Sequence, residues 1–454
     1  MPKLTLIHPA SMSSMFGQVV KNWCMPCLSL AQVAALTPTH WDVKIVDEYN
    51  KKVDFEEKVD LVGITAYTST ASRAYELGAE FRKRNIPVVM GGIHVSMLPE
   101  EAGAFADAVV VGEAESVWGE LLSDLEKGKM KKIYRGKRLP LNNLPIARRD
   151  LFGNFGGWDV IQTARGCPFD CDFCSVKLFS GPEYRHRPID EVLDEMETLK
   201  KRFFFILDDN LLGSGRKGRE RAIQLFKGMI DRKINKIWAA QAPLYAVEYP
   251  EVLKYAHKSG CRYLHVGIES INKETLEEMN KGVNLRRETD GIKKAIKEFH
   301  RHGIAISGSF IFGNDHDDVS TFKRTLNFIN ETELDAWKFT FLTPYPGTNL
   351  YKRFVEEDRL IYKNFPVDWE KYIWNIFVFR PKNISTTDLV RGFDYLLVKT
   401  LSIRSITLRF FKTLLNTRSL SASSIAYLAN MSYRNAFYKG MRKIAGRTHL
   451  QTDT

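Results

Sequence analysis

The chain has 454 residues, 44% of them hydrophobic, and a formal net charge of +12. That length exceeds one ordinary core, and the apolar content excludes disorder as the default state and suits two or three domains. No run of about 18 apolar residues occurs, and Met1-Pro-Lys-Leu-Thr-Leu-Ile7 reads as a first strand, so a soluble, cytoplasmic protein is expected.

In chain order, the first third predicts strands at 4–7, 43–46, 61–65, 88–90 and 109–111, with helices from about Leu28 and Ala71 between them. Such alternation predicts a parallel sheet wrapped by helices, a Rossmann-like, doubly wound α/β domain over residues 1–140. Its strands end in small or polar residues: Thr65 to Ser69, Gly91-Gly92-Ile-His94 and Gly112-Glu113. The carboxyl ends of an open parallel sheet form a ligand crevice, and glycines there admit a bulky cofactor.

A polar, Pro-containing stretch at 131–149 reads as a linker. After it, strands are predicted at 158–163, 203–207, 236–241, 263–267, 304–312 and 337–342, with helices such as 189–200, 217–231 and 318–330. Six strand–helix units fall short of the eight of a closed barrel and predict a partial (β/α)6 barrel over 150–375, with function at the strands' carboxyl ends. Residues 376–454 lose strand character and are expected to be helical. From Ser385 to Thr454 there are eleven Lys/Arg against three Asp, a bias that suits a solvated helical face or an anionic surface.

Six cysteines, three of them within eight positions, are unlike a spread disulfide framework and point to a metal centre in a reducing compartment. The three stand in Gly166-Cys167-Pro-Phe-Asp-Cys171-Asp-Phe-Cys174, a C-x3-C-x2-C loop directly after the first strand of the second domain. Three thiolates so spaced can grip one iron–sulfur cube and leave its fourth iron without a protein ligand, open for chemistry. The competing readings are a zinc knuckle or an electron-transfer cluster, each needing a fourth ligand, for which His186 and Cys261 are candidates. The spacing fits neither the paired C-x2-C of zinc sites nor the ferredoxin patterns.

Cys167, Cys171, Phe173 and Cys174 resemble the C-x3-C-x-aromatic-C signature of the radical S-adenosylmethionine (SAM) superfamily. The resemblance implies a [4Fe-4S] cluster on the three cysteines, with SAM chelating the open iron and cleaved by an electron from the cluster to a 5'-deoxyadenosyl radical. It also implies SAM contacts from Phe173 near the adenine, from Asp208-Asp209-Asn210 and Gln241, from Glu269-Ser270 in Gly-Ile-Glu-Ser, and from Ser309 in Gly308-Ser-Phe-Ile-Phe-Gly313. Thr343-Pro-Tyr-Pro-Gly-Thr348 ends the sixth strand of the same series.

The N-terminal third followed by this barrel is similar to the cobalamin-binding radical SAM family. The similarity is carried by Cys24-Met-Pro-Cys27-Leu-Ser-Leu, Val46-Asp-Glu48, Val89-Met-Gly-Gly-Ile-His94 and Val111-Gly-Glu-Ala-Glu115. By it, Thr65, Ser69, Gly91, Gly92, His94, Gly112 and Glu113 surround cobalamin. The Asp-x-His-x-x-Gly motif is absent, since Asp47-Glu-Tyr-Asn50 lacks the His and Gly. Cys24 and Cys27 suggest a redox pair or half a metal site but, by the resemblance, read as two partly buried thiols at a helix start.

The implied activity is a cobalamin-dependent methyltransferase acting on an unactivated carbon. The alternatives are a radical cyclase, coupling or rearrangement enzyme and a non-catalytic iron–sulfur protein. Expected partners are a small-molecule or lipid-like substrate and a reductant such as flavodoxin or ferredoxin, with no nucleic acid. Aromatic and aliphatic residues amid the basic tail, Phe410, Phe411, Leu414 and Leu415 among them, suggest core packing on the barrel or peripheral contact with a membrane.

Overall fold

The computed structural model describes residues 1–11, 25–153, 157–282 and 289–445, so Cys24 lies outside the described residues. A first six-stranded sheet is built from β1 (Lys3–His8), β2 (Asp42–Asp47), β3 (Leu61–Thr65), β4 (Val88–Gly91), β5 (Ala108–Val111) and β6 (Ile133–Arg135). Its order is β2-β1-β3-β4-β5-β6, and every pair is parallel. All five residues of β3 are buried, as expected for a central strand covered on both faces. β6 falls inside the stretch expected to be a linker. Only Tyr134 of its three residues is buried, too short a pattern to read as a strand until β5 offers it a partner.

The second sheet runs β7 (Asp159–Ile161), β10 (Phe203–Ile206), β11 (Ile237–Gln241), β12 (Cys261–Glu269), β13 (Ala305–Phe312) and β14 (Ala336–Phe341) in strict sequence order. All its pairs are parallel, and among the described residues β7 and β14 pair with no further strand, so the barrel is partial. β8 (Ala164–Arg165) and β9 (Arg185–His186) form a small antiparallel ribbon beside it.

On β12, β13 and β14, alternate residues such as Leu264, Val266, Ile306, Phe310, Trp337 and Phe339 are buried in the core under the flanking helices. The other face is concave. Its floor is filled by the helix Leu420–Ala445, whose Ile425 packs on Trp158, Ala239 and Tyr263 and whose Ala422 and Ala426 meet Ala305. The helices Thr386–Thr400 and Ile403–Thr417 complete the tail. Asp335 ties this tail to the sheet: it accepts from Ile306 N–H at 2.7 Å and Thr413 Oγ1 at 2.7 Å, and lies 2.8 Å from His300 Nε2.

The first core does not stop at the first sheet. Leu342, Leu350, Phe354, Trp369 and Tyr372 join Tyr75, Phe81 and Val95 in one cluster, so the segment after β14 straps the barrel to the first domain. No described helix is long and apolar enough to cross a membrane.

Candidate active site between the two sheets

The three cysteines occupy the excursion between β8 and β9. Gly166 precedes them at φ +90, and a Cβ there would stand 2.1 Å from the Glu183 carbonyl oxygen, so only glycine lets the loop leave the ribbon. Cys174 N–H donates to Cys171 O at 3.0 Å. From outside the loop, Asp172 N–H donates to Met279 O at 3.1 Å, Leu350 N–H to Asp172 O at 3.1 Å, and Asn280 Nδ2 to Asp170 O at 2.8 Å. Residues more than a hundred positions away thus hold the loop's backbone.

Cys167, Cys171 and Cys174 are free and half-buried. Burial pushes all three thiols above the ordinary range, Cys174 to about 11, so loading a metal must displace protons. Among the described residues no three His, Cys, Asp or Glu side chains gather as ligands of one ion do. Thiolates on three corners of a cube stand farther apart than ligands of one ion, and three free soft donors around a common loop fit that arrangement. Neither fourth-ligand candidate belongs to the loop. Cys261 is fully buried at the opposite, amino-terminal end of β12, and His186 is exposed on β9.

Beside the thiols lies a buried ion pair. A register shift between Gly267 and Glu269, with Glu269 at φ +65, swings its carboxylate into the concave face. There Lys281 Nζ donates to Glu269 Oε1 at 2.9 Å, and Ser309 Oγ donates to Oε2 at 3.1 Å. A Cβ on Gly267 would stand 2.1 Å from Glu269 Oε1 and 3.2 Å from Lys281 Nζ, which is why this strand carries glycine there. Burial opposes the charge on Lys281, but Glu269 and the Cys171 and Cys174 sulfurs outweigh it and raise its pKa. The ammonium also lies 5.9 Å from the Phe173 ring centroid. Sequence reading missed Lys281 because it stands twelve residues beyond its partner, outside any strand-end motif.

The structure separates the members of Asp208-Asp209-Asn210. Asp208 is 1% exposed and accepts from Thr163 N–H at 2.6 Å, Ala164 N–H at 3.0 Å and Thr163 Oγ1 at 2.5 Å, so its carboxylate is spent on joining β7 to β8. Asn210 accepts from Leu212 N–H at 3.1 Å and donates to Gly213 O at 3.1 Å, closing its own turn beside Cys167. Asp209 alone lines the main cavity. Burial and then the Asp208 charge push its carboxyl up to about 6. Gln241 is exposed at the end of β11, while Ser270 is buried and accepts from Asn272 N–H at 3.0 Å.

The cavity, about 610 Å3, lies where the carboxyl ends of the two sheets meet. On the first sheet it opens at β1 and β3, where strand order reverses, the position at which open parallel sheets take their ligands. Thr65, Tyr67, Gly91, Gly92, Gly112 and Glu113 line this side, with Arg165 and Asp209 opposite. Tyr67 stands into the hollow at 51% exposure. A broad hollow floored by glycines and walled by an aromatic ring suits a large flat cofactor.

Glu113 faces two arginines of the ribbon: Arg185 Nη1 donates to it at 3.0 Å and Arg165 Nη1 lies 3.4 Å away, while Arg165 Nη2 donates to Glu115 at 2.6 Å. The base of the cysteine loop is thereby clamped to the first domain. Cys27 lines the cavity as a buried free thiol, its pKa raised by burial. Ser69 does not line the cavity, nor does His94. His94 is 1% exposed, with Nδ1 3.3 Å from Thr68 Oγ1 and Nε2 3.1 Å from Tyr75 OH, and the Trp369 ring packs edge-on at 5.2 Å. The docked strap consumes the histidine that the strand-end pattern offered to a ligand.

A three-thiol loop whose continuation, Val176, Phe179 and Ser180, lines a large hollow between two parallel sheets suits a cofactor-dependent enzyme. Residues 161–329 match the Radical SAM superfamily and residues 23–122 the B12 binding domain. The bacteriochlorophyllide d C-12(1)-methyltransferase of Chlorobaculum tepidum is 34% identical over 86% of this chain and 85% of its own. The anaerobic magnesium-protoporphyrin IX monomethyl ester cyclase of Rubrivivax gelatinosus is 24% identical over 86% and 75%. The radical S-adenosylmethionine methyltransferase TsrM of Kitasatospora setae, solved with cobalamin and a [4Fe-4S] cluster, shares the fold at a TM-score of 0.64 and 17% identity, over 79% of this chain and 78% of that one. The chain belongs to the radical SAM superfamily, in the group that carries an N-terminal B12 binding domain. Its cofactors are a [4Fe-4S] cluster, SAM and cobalamin.

Proposed function

We propose that this chain is a cobalamin-dependent radical SAM methyltransferase that acts on an unactivated carbon of a small-molecule or lipid-like substrate. One observation carries the reading: the residues that flank the cysteines, Arg165 before them and Val176, Phe179 and Ser180 after them, line the glycine-floored cavity together with Tyr67, Gly91 and Glu113. When bound, the cluster supplies the electron that splits SAM into methionine and a 5'-deoxyadenosyl radical, and cobalamin supplies the methyl group.

The chain's own work is to hold and orient. Cys167, Cys171 and Cys174 hold three corners of the cluster. Lys281 meets the SAM carboxylate, with Glu269 and Ser309 fixing the ammonium in place, and Phe173, Asp209, Gln241 and Ser270 complete the SAM site. Asp208 and Asn210 act as positioning residues for the loop. Thr65, Tyr67, Gly91, Gly92, Gly112 and Glu113 hold cobalamin, and His94 and Ser69 support that wall from behind. The working units are 1–140, 150–375 and 376–454, and the enzyme operates in the cytoplasm with a flavodoxin- or ferredoxin-type reductant.

The test is anaerobic purification with cobalamin supplied, followed by incubation with SAM, reductant and candidate substrates. S-adenosylhomocysteine formed alongside deoxyadenosine supports methyl transfer. Deoxyadenosine alone favours the cyclase-type reading, and no cleavage of SAM overturns both.

A second partner reading concerns the tail. On the helix Ile403–Thr417, Leu408, Phe411 and Leu415 are 55%, 54% and 76% exposed in one stripe, edged by exposed Arg404, Lys412 and Arg418. This amphipathic face suits an anionic lipid surface. Salt-sensitive sedimentation with phosphatidylglycerol vesicles is expected, and its persistence in a Phe411→Ser/Leu415→Ser variant would refute the reading.

A further inference from the structure

A dense run of positive charge lies beside the cysteine loop. Of the twelve residues from Lys127 to Arg138, seven are Lys or Arg and none is Asp or Glu. All seven are exposed. The acids that meet this segment are already engaged. Glu113, whose carbonyl oxygen lies against Gly136, is held by Arg165 and Arg185, and Glu120 and Asp124 are held by Lys131. Among the described residues Lys132, Arg135 and Lys137 make no ion pair, so the strip presents uncompensated charge to solvent.

The strip runs into a groove of about 490 Å3 between the first domain and the helix Val176–Ser180, which continues the cysteine loop. Met97, Val111, Leu178 and Phe179 give the groove an apolar side, and Arg135, Lys137 and Arg138 give it a basic one. Arg138 joins the two: its Nη2 donates to Leu178 O at 2.8 Å and its Nε to Phe179 O at 3.3 Å, and its stem covers Gly181, where a Cβ would stand 3.1 Å from Cδ. Gly181 O in turn accepts from Cys167 N–H at 3.4 Å. Leu178 follows Cys174 by four residues, so chain reach alone keeps their Cα atoms within about 14 Å of each other.

Charge on an edge strand also resists pairing with other edges. That role does not account for this segment, because of its seven basic residues only Arg135 lies on β6. Apolar side chains also stand in the open among the charges: Ile133, Leu139 and Leu178 are 36%, 40% and 42% exposed. Exposed apolar residues rimmed by charge of one sign are the composition of a surface that receives a protein of the opposite sign.

Resting on the reading that a protein reductant feeds the cluster, we propose that this groove is the docking site of a flavodoxin-type donor, a small acidic protein whose reduced flavin gives up one electron as the cluster gains one. Electron transfer weakens steeply with distance, so the flavin must seat against the loop that carries the thiols, and this groove is built on that loop's continuation. The basic rim steers the acidic protein and sets its rate of association, while the apolar side receives the flat dimethylbenzene edge of the flavin.

The experiment titrates reconstituted holoenzyme with oxidised flavodoxin by calorimetry at about 0.05 M and about 0.5 M salt. Binding is expected to weaken about tenfold or more in an Arg135→Glu/Lys137→Glu variant and at the higher salt. Arg135→Lys/Lys137→Arg, which keeps the charge, should bind as the wild type does. Deoxyadenosine formation driven by reduced flavodoxin should fall with binding, whereas with dithionite, which needs no docking, the variants should match the wild type, as should their iron content. Unchanged binding in the Glu variant, no binding by the wild type, or an equal loss with dithionite overturns the proposal. So does tighter binding of a ferredoxin than of flavodoxin, or binding of phosphatidylglycerol vesicles at this strip in place of flavodoxin. Failure of the wild-type holoenzyme to cleave SAM with dithionite would instead strike the methyltransferase reading, so the two failures are distinguishable.

Discussion

The two sheets are built alike and end differently. Both are six-stranded and fully parallel, and both offer their carboxyl ends to the same hollow. At the first sheet those ends are mostly glycines, a threonine and a tyrosine, which shape space, and the acids there, Glu113 and Glu115, are paired with Arg165 and Arg185. At the second, Asp209 lines the hollow, and the thiols and Lys281 lie on the same end of the sheet, all with pKa values that burial and neighbours displace. Parallel sheets of equal strand number but different strand order thus supply a bed in one case and reactive chemistry in the other, and the ribbon β8–β9 couples them through Arg165 and Arg185.

The sharpest way to break that comparison is to remove one thiol. Cys171→Ala should abolish formation of deoxyadenosine and lower iron content, while cobalamin retention measured by absorbance stays near wild type. Deoxyadenosine formed by the variant would mean that the loop is not the reactive end. The coupling itself comes next. Glu113→Gln leaves Arg165 and Arg185 under-compensated in a buried setting and should cost about 3 kcal/mol in denaturant unfolding. A loss below about 0.5 kcal/mol would show that the two regions are not clamped there.

A smaller effect is expected far from the hollow, at the tail's anchor. Burial disfavours the charged form of His300, but Asp335 outweighs it and raises the His300 pKa above its ordinary value. The sign follows from linkage: stability from this pair is fully present below the ordinary histidine range and is lost as pH rises through the raised value. Thermal stability should fall by about 1–2 kcal/mol across that window, and His300→Gln should flatten the profile. The smallest effect belongs to the bed. Tyr67→Leu should weaken cobalamin retention a few-fold, about 1 kcal/mol, without changing iron content. An unaltered cobalamin stoichiometry at limiting cofactor would remove the tyrosine from that wall.

Much of this molecule was legible before its fold. Alternating apolar strands and amphipathic helices predicted both parallel sheets, because a strand buried on two faces reads as a continuous apolar run. The C-x3-C-x2-C spacing marked the cluster loop because one tight loop brings three soft donors to the corners of one cube. Legibility failed wherever a side chain's role depended on a distant partner. Asp208 looks like a ligand residue until Thr163 takes both its oxygens, and His94 looks like one until Trp369 and Tyr75 enclose it. β6 is three residues long and exists only because β5 has an open edge. Lys281 carries no local signature at all.

By itself, then, the sequence determined the class of the two sheets, their order along the chain and the three-thiol loop, since all of these depend on periodicities and spacings of a few residues. Only the tertiary structure decided which strand-end groups face the hollow, how the strap docks on the first domain, and that Lys281 pairs with Glu269 beside the thiols. Those properties depend on what lies within a few ångströms, and in this fold the nearest partner is often a hundred residues away.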